Sequence, residues 1–342
     1  MEKIKIYVTE RIAKILEKDA EGFEFFKKDG RRVNKNALLT KLIVNYHNSF
    51  TEQQNELLSF FKSKINSTAD IKERELNDLC FDLCEKINEK NAAPSGEKFD
   101  NLVSLKPTKE SEPVIEFIER YSLMGRTISE YFRSMLASYA ALPQDKRELI
   151  IFKDKYDAIT KAIREKKRIF VTTKWDINKK IECAPYDVAH SKEELHCYIL
   201  VATKGCSTMR LSRIVSVTQL TAKAEFTQGQ IELFEKMKEF GPQFIYKPSD
   251  KEVLVELTAK GIDKFKKIYV HRPVPIKIEN NHYYFNCANT QIVQYFVRFG
   301  GDAKIIYPQS VRDEVYNFHR WALDRYSKTS AQQPKTSSRA KV

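Results

Sequence analysis

Residues 3 to 8 read Lys-Ile-Lys-Ile-Tyr-Val, a strict alternation that puts Lys3, Lys5 and Tyr7 on one face of a strand and Ile4, Ile6 and Val8 on the other. The next forty residues are helical in pattern. Thr9 is placed to cap a helix with Ile12, Ile15 and Leu16 inward, Gly30 breaks the chain, and Asn34 is placed to cap a second helix carrying Leu38, Leu39, Leu42, Ile43 and Tyr46. A lone strand leaves its backbone donors and acceptors unpaired and cannot stand by itself in water. The strand therefore demands a partner, from this chain or from a second copy of it.

The same order recurs about 95 residues later: a strand over 101 to 106, a helix over 113 to 121, Gly125-Arg126 in the place of Gly30-Arg31, and a helix with Ser129 as cap and Phe132, Met135, Leu136 and Tyr139 inward. An internal repeat and a chance likeness of amphipathic helix pairs both fit this pattern. A helix over 71 to 88 and a break over 91 to 96 lie between the two stretches. From residue 153 the texture changes. One helix with Ile159, Ala162 and Ile163 leads into short strands near 168 to 175, 180 to 188, 195 to 203, 208 to 214 and 215 to 220, which suit a small barrel. A helix over 227 to 240 follows. Beyond it an α+β unit is expected: a strand over 253 to 257, a hairpin turning at Asn280-Asn281, a helix ending at Gly300-Gly301, a strand over 304 to 307 and a last helix after Pro308.

Charge narrows the choice of partner. Lys and Arg number 59 against 46 Asp and Glu, giving +13 over 342 residues, a balance that favours polyanions. Residues 1 to 50 carry +4, residues 51 to 152 carry −4 and residues 153 to 225 carry +6, so basic surface concentrates at the front and in the middle. Residues 327 to 342 hold four basic and no acidic side chains, a composition expected to form a disordered basic tail. No apolar run is long enough to cross a membrane, and no secretory signal opens the chain, so cytoplasmic residence is expected. The six cysteines lack the spacing of a disulfide framework or a zinc ribbon, so neither metal nor cofactor is expected. No phosphate-loop, dinucleotide, zinc-protease or serine-hydrolase motif is present, and the Arg312/His319 spacing, which also occurs in HEPN ribonucleases, falls in the expected last helix. A non-enzymatic protein is the expectation.

Cys197, Tyr198 and Ile199, followed by Arg210, Arg213 and Ile214, resemble the WYL domain, whose pattern is Trp-Tyr-Leu on one strand and Arg-x-x-Arg-Ile on the next. Pro185 falls where that family places a proline. Of the triplet only Tyr198 is retained, and Ser212 stands where many members have Asp. The resemblance implies an Sm-like or SH3-like five-strand barrel. Residues 299 to 308 and 311 to 315 resemble the C-terminal extension that often accompanies WYL domains, and the two stretches together cover roughly residues 153 to 326. The front strand, Gly30 and the Asn34 helix resemble a ribbon-helix-helix domain. This layout is similar to that of the WYL accessory proteins of type VI-D CRISPR loci, which implies a homodimer that binds single-stranded RNA and stimulates an RNA-guided RNA-cleaving effector. Other WYL proteins are DNA-binding transcription regulators with a ligand-sensing WYL domain, which makes duplex DNA the alternative partner. An oligomeric scaffold is a third class.

The expected architecture is thus multidomain α+β. It comprises a ribbon-helix-helix over 1–50, a helical linker and second copy over 51–152, a WYL barrel over 153–225, a connecting helix and extension over 226–326, and the tail. The family assigns arginines at the positions of Arg210 and Arg213 to a basic patch, and a guanidinium fork suits phosphate; a structural ion pair is the competing role. Three residues apart on one strand, the two would point to opposite faces unless a bulge or bend re-aims one. Tyr198 and Trp175 are candidate stacking platforms for unpaired bases, or barrel core. Lys174, Arg168, Lys204 and His196 are candidates for the same groove, or its solvated rim. On the ribbon, Lys3, Lys5 and Tyr7 would face a DNA groove, with Arg31, Arg32 and Lys35 holding phosphate near the Asn34 helix. The acidic second stretch makes a poor half for such a reader, which assigns the front region to assembly.

Overall fold

The structure is a computed structural model that describes residues 2–68, 71–94, 96–123, 125–247 and 250–328; the basic tail expected from residue 327 lies outside the described residues from 329 onward. Strand β1 (Ile4–Val8) pairs antiparallel with β2 (Asn101–Leu105), Ile4 opposite Leu105 and Val8 opposite Asn101. The partner that the first strand demands thus comes from the same chain.

Each strand of this ribbon leads into two helices. After β1 come α1 (Glu10–Gly22) and α2 (Lys35–Asn66); α3 (Glu73–Ala92) intervenes; after β2 come α4 (Glu112–Tyr121) and α5 (Ile128–Ala141). The inward set Ile6, Val8 and Leu105 is buried together with Ile12, Leu16, Leu38 and Leu42 from the first pair and Ile115, Ile118, Phe132 and Met135 from the second. Each such side chain contributes roughly 1.5 to 3 kcal/mol by leaving water. Asn34 caps α2, its side chain accepting from the Ala37 amide at 3.2 Å. Thr9 stands at the N-cap of α1 without capping it, because its hydroxyl reaches the Ala92 carbonyl at 3.5 Å instead. The cap of α5 is Thr127 rather than Ser129. Thr127 and Glu130 have the spacing of a capping box and form both of its bonds, at 3.3 and 2.8 Å, which frees Ser129 to donate to the Lys5 carbonyl on β1 at 2.8 Å.

Two helices, α6 (Gln144–Ile151) and α7 (Lys153–Arg164), precede five strands: β3 (Lys167–Thr173), β4 (Asp176–His190), β5 (Cys197–Ala202), β6 (Cys206–Arg210) and β7 (Ile214–Lys223). They form one sheet in the order β6-β5-β4-β3-β7. This sheet is open, which departs from the barrel expected. A short 3-10 turn, Leu211–Arg213, carries the chain from β6 to β7, and β7 then pairs with β3, Phe170 opposite Thr218. The two consecutive strands are left as opposite edges.

By its contacts the chain divides into two compact units. The first comprises Met1–His190, Leu195–Ile199 and Met209–Ala224, and the second Ser191–Glu194, Leu200–Thr208 and Glu225–Val342. The second contains α8 (Gln228–Phe240), β8 (Val253–Leu257), α9 (Ala259–Lys267), the hairpin β9 (Pro275–Glu279) and β10 (His282–Phe285), α10 (Asn289–Phe296), β11 (Ala303–Tyr307) and α11 (Gln309–Lys328). Its sheet has the order β11-β8-β10-β9, turning at Asn280 in the left-handed conformation as the Asn-Asn signal requires. Phe265, Phe285, Tyr295, Phe296 and Phe299 build an aromatic core beneath it. Gly261 is required there, since a Cβ would stand 2.1 Å from the Asp302 carbonyl oxygen. The whole is a mixed α+β chain. Among the described residues no helix is long and apolar enough to cross a membrane.

Candidate nucleic-acid interface

The alternation that would send Arg210 and Arg213 to opposite faces stops at Arg210, where β6 ends and the 3-10 turn begins. Both guanidinium groups therefore reach one carboxylate. Arg213 Nε lies 2.9 Å and Arg210 Nη1 3.9 Å from Glu24 Oε1, while Lys174 Nζ lies 3.9 Å from Glu24 Oε2. Lys174 also donates to the Phe23 and Glu24 carbonyls, both at 3.1 Å, and Arg210 to the Gly22 carbonyl. Two of the three cations, Lys174 and Arg210, thus donate to carbonyls at and just beyond the C-terminal end of α1, toward its negative dipole end, and Arg213 meets the Glu24 carboxylate there. Glu24 itself is held at φ 60°, a conformation few non-glycine residues adopt. Burial pulls the Lys174 ammonium below the usual lysine value, with Glu24 opposing.

Behind this layer, Arg210 Nη2 is 2.7 Å from His196 Nε2, and His196 Nδ1 is 3.2 Å from Glu148 Oε2. With its proton on Nδ1, His196 donates to Glu148 and accepts from Arg210. Glu148 is fully buried and also accepts from the Cys197 amide at 2.8 Å. Its second oxygen, Arg210 Nε and the Ser212 hydroxyl are buried with no hydrogen-bond partner among the described residues. The outer edge is different. Trp175 is 77% exposed, and the Arg213 guanidinium lies 5.0 Å over its ring. A flat π face beside a half-exposed cation is the arrangement that holds an unpaired base and its phosphate.

The remaining candidates lie elsewhere. Tyr198 is buried in β5; Arg168 pairs with Glu182 at 2.7 Å across β3 and β4; Lys204 is exposed in the turn after β5, within the second unit. On the ribbon, Lys3, Lys5 and Tyr7 are exposed, Lys5 opposite Ser104 and Tyr7 opposite Leu102. Arg31 and Arg32 donate their amides to Asp29, each at 3.0 Å, Arg32 also pairs with Asp29 through its side chain, and Lys35 pairs with Glu17 at 3.1 Å. Among the described residues no group of three metal-binding side chains occurs, and all six cysteines are free.

The acidic partners escape sequence reasoning. Glu24 and Glu148 carry no motif, and neither does the buried cluster in which Asp19 accepts from Arg147 Nε at 2.6 Å, Arg147 Nη2 at 2.8 Å and the Tyr139 hydroxyl at 2.7 Å. The Arg213 to Glu24 pair joins residues 189 apart. The one local signal is Arg147-Glu148, two charges in a stretch that is otherwise apolar on its inner side.

No protein-family profile matches the chain, and no curated protein does. Among solved structures, it is similar in fold to the crystal structure of a CRISPR Cas-related protein, with a TM-score of 0.60 and 18% identity over 96% of this chain and 94% of that one. A second structure, the proteasome accessory factor PafBC of Arthrobacter aurescens, matches with a TM-score of 0.24 and 16% identity over 66% of this chain and 37% of that one, too low to carry an argument.

Proposed function

We propose that this chain is a non-enzymatic accessory protein of a CRISPR system that binds single-stranded RNA, acts as a cytoplasmic homodimer and stimulates an RNA-guided RNA-cleaving effector. The observation that carries this reading is the fold likeness to a CRISPR Cas-related protein over 96% of the chain. The resemblance of residues 197 to 199 and 210 to 214 to the WYL pattern supports it, and on this reading β3 to β7 are a WYL domain of Sm-like type. RNA engages the outer edge of the cluster: a base stacks on Trp175, and its phosphates meet Arg213 and Lys174. Arg210 and His196, nearly buried, position that edge rather than touch RNA.

The test is anisotropy binding of single-stranded RNA, single-stranded DNA and duplex DNA at about 150 mM salt, where charge-only binding is weak. Tight RNA binding that falls about tenfold or more in Trp175→Ala and Arg213→Ala is the expected result. Equal binding to all three polymers, unaffected by both substitutions, would leave only non-specific attraction to a +13 chain. A DNA-binding regulator is the second reading, favoured by the intrachain ribbon with Lys5 and Tyr7 turned outward. It predicts duplex binding lost in Lys3→Ala and Lys5→Ala, although Leu102 and Ser104 give the other strand few groups that read bases.

A further inference from the structure

The second unit holds a half-open cavity of about 600 Å³ between the β5–β6 turn, one flank of α8 and residues near 246 and 286, a volume suited to a small organic molecule. Its polar groups are unbalanced. Lys204, Lys236 and Lys247 line it, and among the described residues none of their ammonium groups has a hydrogen-bond or ion-pair partner. The two carboxylates in its wall already have donors: Glu232 accepts from the Gln228 side chain at 3.3 Å and Asp250 from the Lys247 amide at 3.0 Å.

More donors face the same space. Tyr246 is only 4% exposed, and its hydroxyl is buried. The Ala288 amide beside it can donate to the oxygen but cannot take its proton, so the O–H lacks an acceptor. At the start of α8, Thr227 and Gln230 satisfy each other in a capping box, which leaves the Gln228 and Gly229 amides without an intrahelical acceptor. Gly229 lines the cavity with open space where a side chain would stand. A half-open site whose unpaired donors outnumber its unpaired acceptors suits an acceptor-rich anion. Leu233 and Ile245 give it an apolar wall. Burial pushes the Cys287 thiol up to about 12 and raises that of Cys206 as well, so neither thiol serves as a nucleophile and the cavity is suited to binding.

We propose that this cavity binds a small organic phosphate about the size of a mononucleotide, its phosphate held by Lys204, Lys236 and the first-turn amides of α8, and its organic part against Leu233, Ile245 and Tyr246. The site lies in the second unit and does not depend on the RNA reading.

Calorimetric titration of the full chain with AMP, adenosine and inorganic phosphate tests it. AMP binds, inorganic phosphate competes with it, and adenosine, without the charge, binds about tenfold more weakly or worse. A Lys204→Ala/Lys236→Ala double variant loses about tenfold in AMP affinity and Tyr246→Phe about fivefold, while the melting temperature without ligand stays unchanged in both. That last readout separates a ligand site from a structural one. Binding of neither AMP nor phosphate at about 1 mM, equal affinity for AMP and adenosine, or undiminished AMP affinity in the double variant would each overturn the proposal.

Discussion

Two groups of basic residues meet opposite fates in this molecule. Around the end of α1, Arg210, Arg213 and Lys174 are all engaged by Glu24, and Arg210 and Lys174 also by main-chain carbonyls, and deeper in the same unit Arg147 is held by Asp19. In the second unit, Lys204, Lys236 and Lys247 line a cavity, and among the described residues none of their ammonium groups is paired, although Glu232 and Asp250 share the wall. Both groups are cationic and their burial differs, so net charge states that a chain favours polyanions without stating where. Cations that cap carbonyls and pair with buried carboxylates serve cohesion first; surplus cations are the ones free to bind. The Arg213–Trp175 edge stands between these extremes, paired on one side and open on the other.

Removing acceptors from the first group gives the largest effects. Asp19→Ala leaves Arg147 and the Tyr139 hydroxyl buried without their partner, and should cost about 3 to 5 kcal/mol in urea unfolding. A cost below about 1 kcal/mol would show that the pair contributes no cohesion. Glu24→Gln brings the first group closer to the second: it frees Arg213 while Lys174 keeps its main-chain carbonyls, so stability should fall by about 1 to 3 kcal/mol and, on the proposed function, single-stranded RNA should bind several-fold more tightly. Weaker RNA binding in that variant would mean that Glu24 organises the site rather than occupies it.

Smaller effects sharpen the contrast. Lys155 donates to the Ile214 carbonyl from a half-buried position, and burial pulls its ammonium down to about 8. Between about pH 8 and the ordinary lysine value of 10.5 the unfolded chain keeps a proton that the folded chain releases, so stability from this group is lowest below pH 8 and rises through that window. Denaturant titrations should therefore show wild type gaining on Lys155→Met as pH is raised from 7 to 10; a constant difference would place the ammonium in water. In the second unit, Lys204→Ala/Lys236→Ala should change stability by less than about 0.5 kcal/mol, because neither ammonium has a partner among the described residues.

Much of the local structure was legible. Period-two alternation located β1, the Asn-Asn pair located the β9–β10 turn, and Asn34 announced α2 through a cap that the fold retains. What was not legible is what distant segments decide. Ser129 and Thr127 are equally good caps by type, and only Glu130 selects between them. The convergence of Arg210 and Arg213 depends on a three-residue 3-10 turn, and their pairing on a glutamate held in a left-handed conformation far away in sequence. Trp175, as much expected in a core as on a surface, stands exposed because it falls in the turn between β3 and β4.

The ribbon has a temporal consequence. At roughly 5 to 20 residues per second, β1 leaves the ribosome on the order of five to twenty seconds before β2 exists to pair with it. During that interval Ile4, Ile6 and Val8 form an apolar strand with a vacant edge, and in a cell making many copies the nearest complementary strand belongs to another nascent chain. The like charges of Lys3 and Lys5 on that strand disfavour its pairing with a second copy, a bias that acts before each chain has synthesised its own second half.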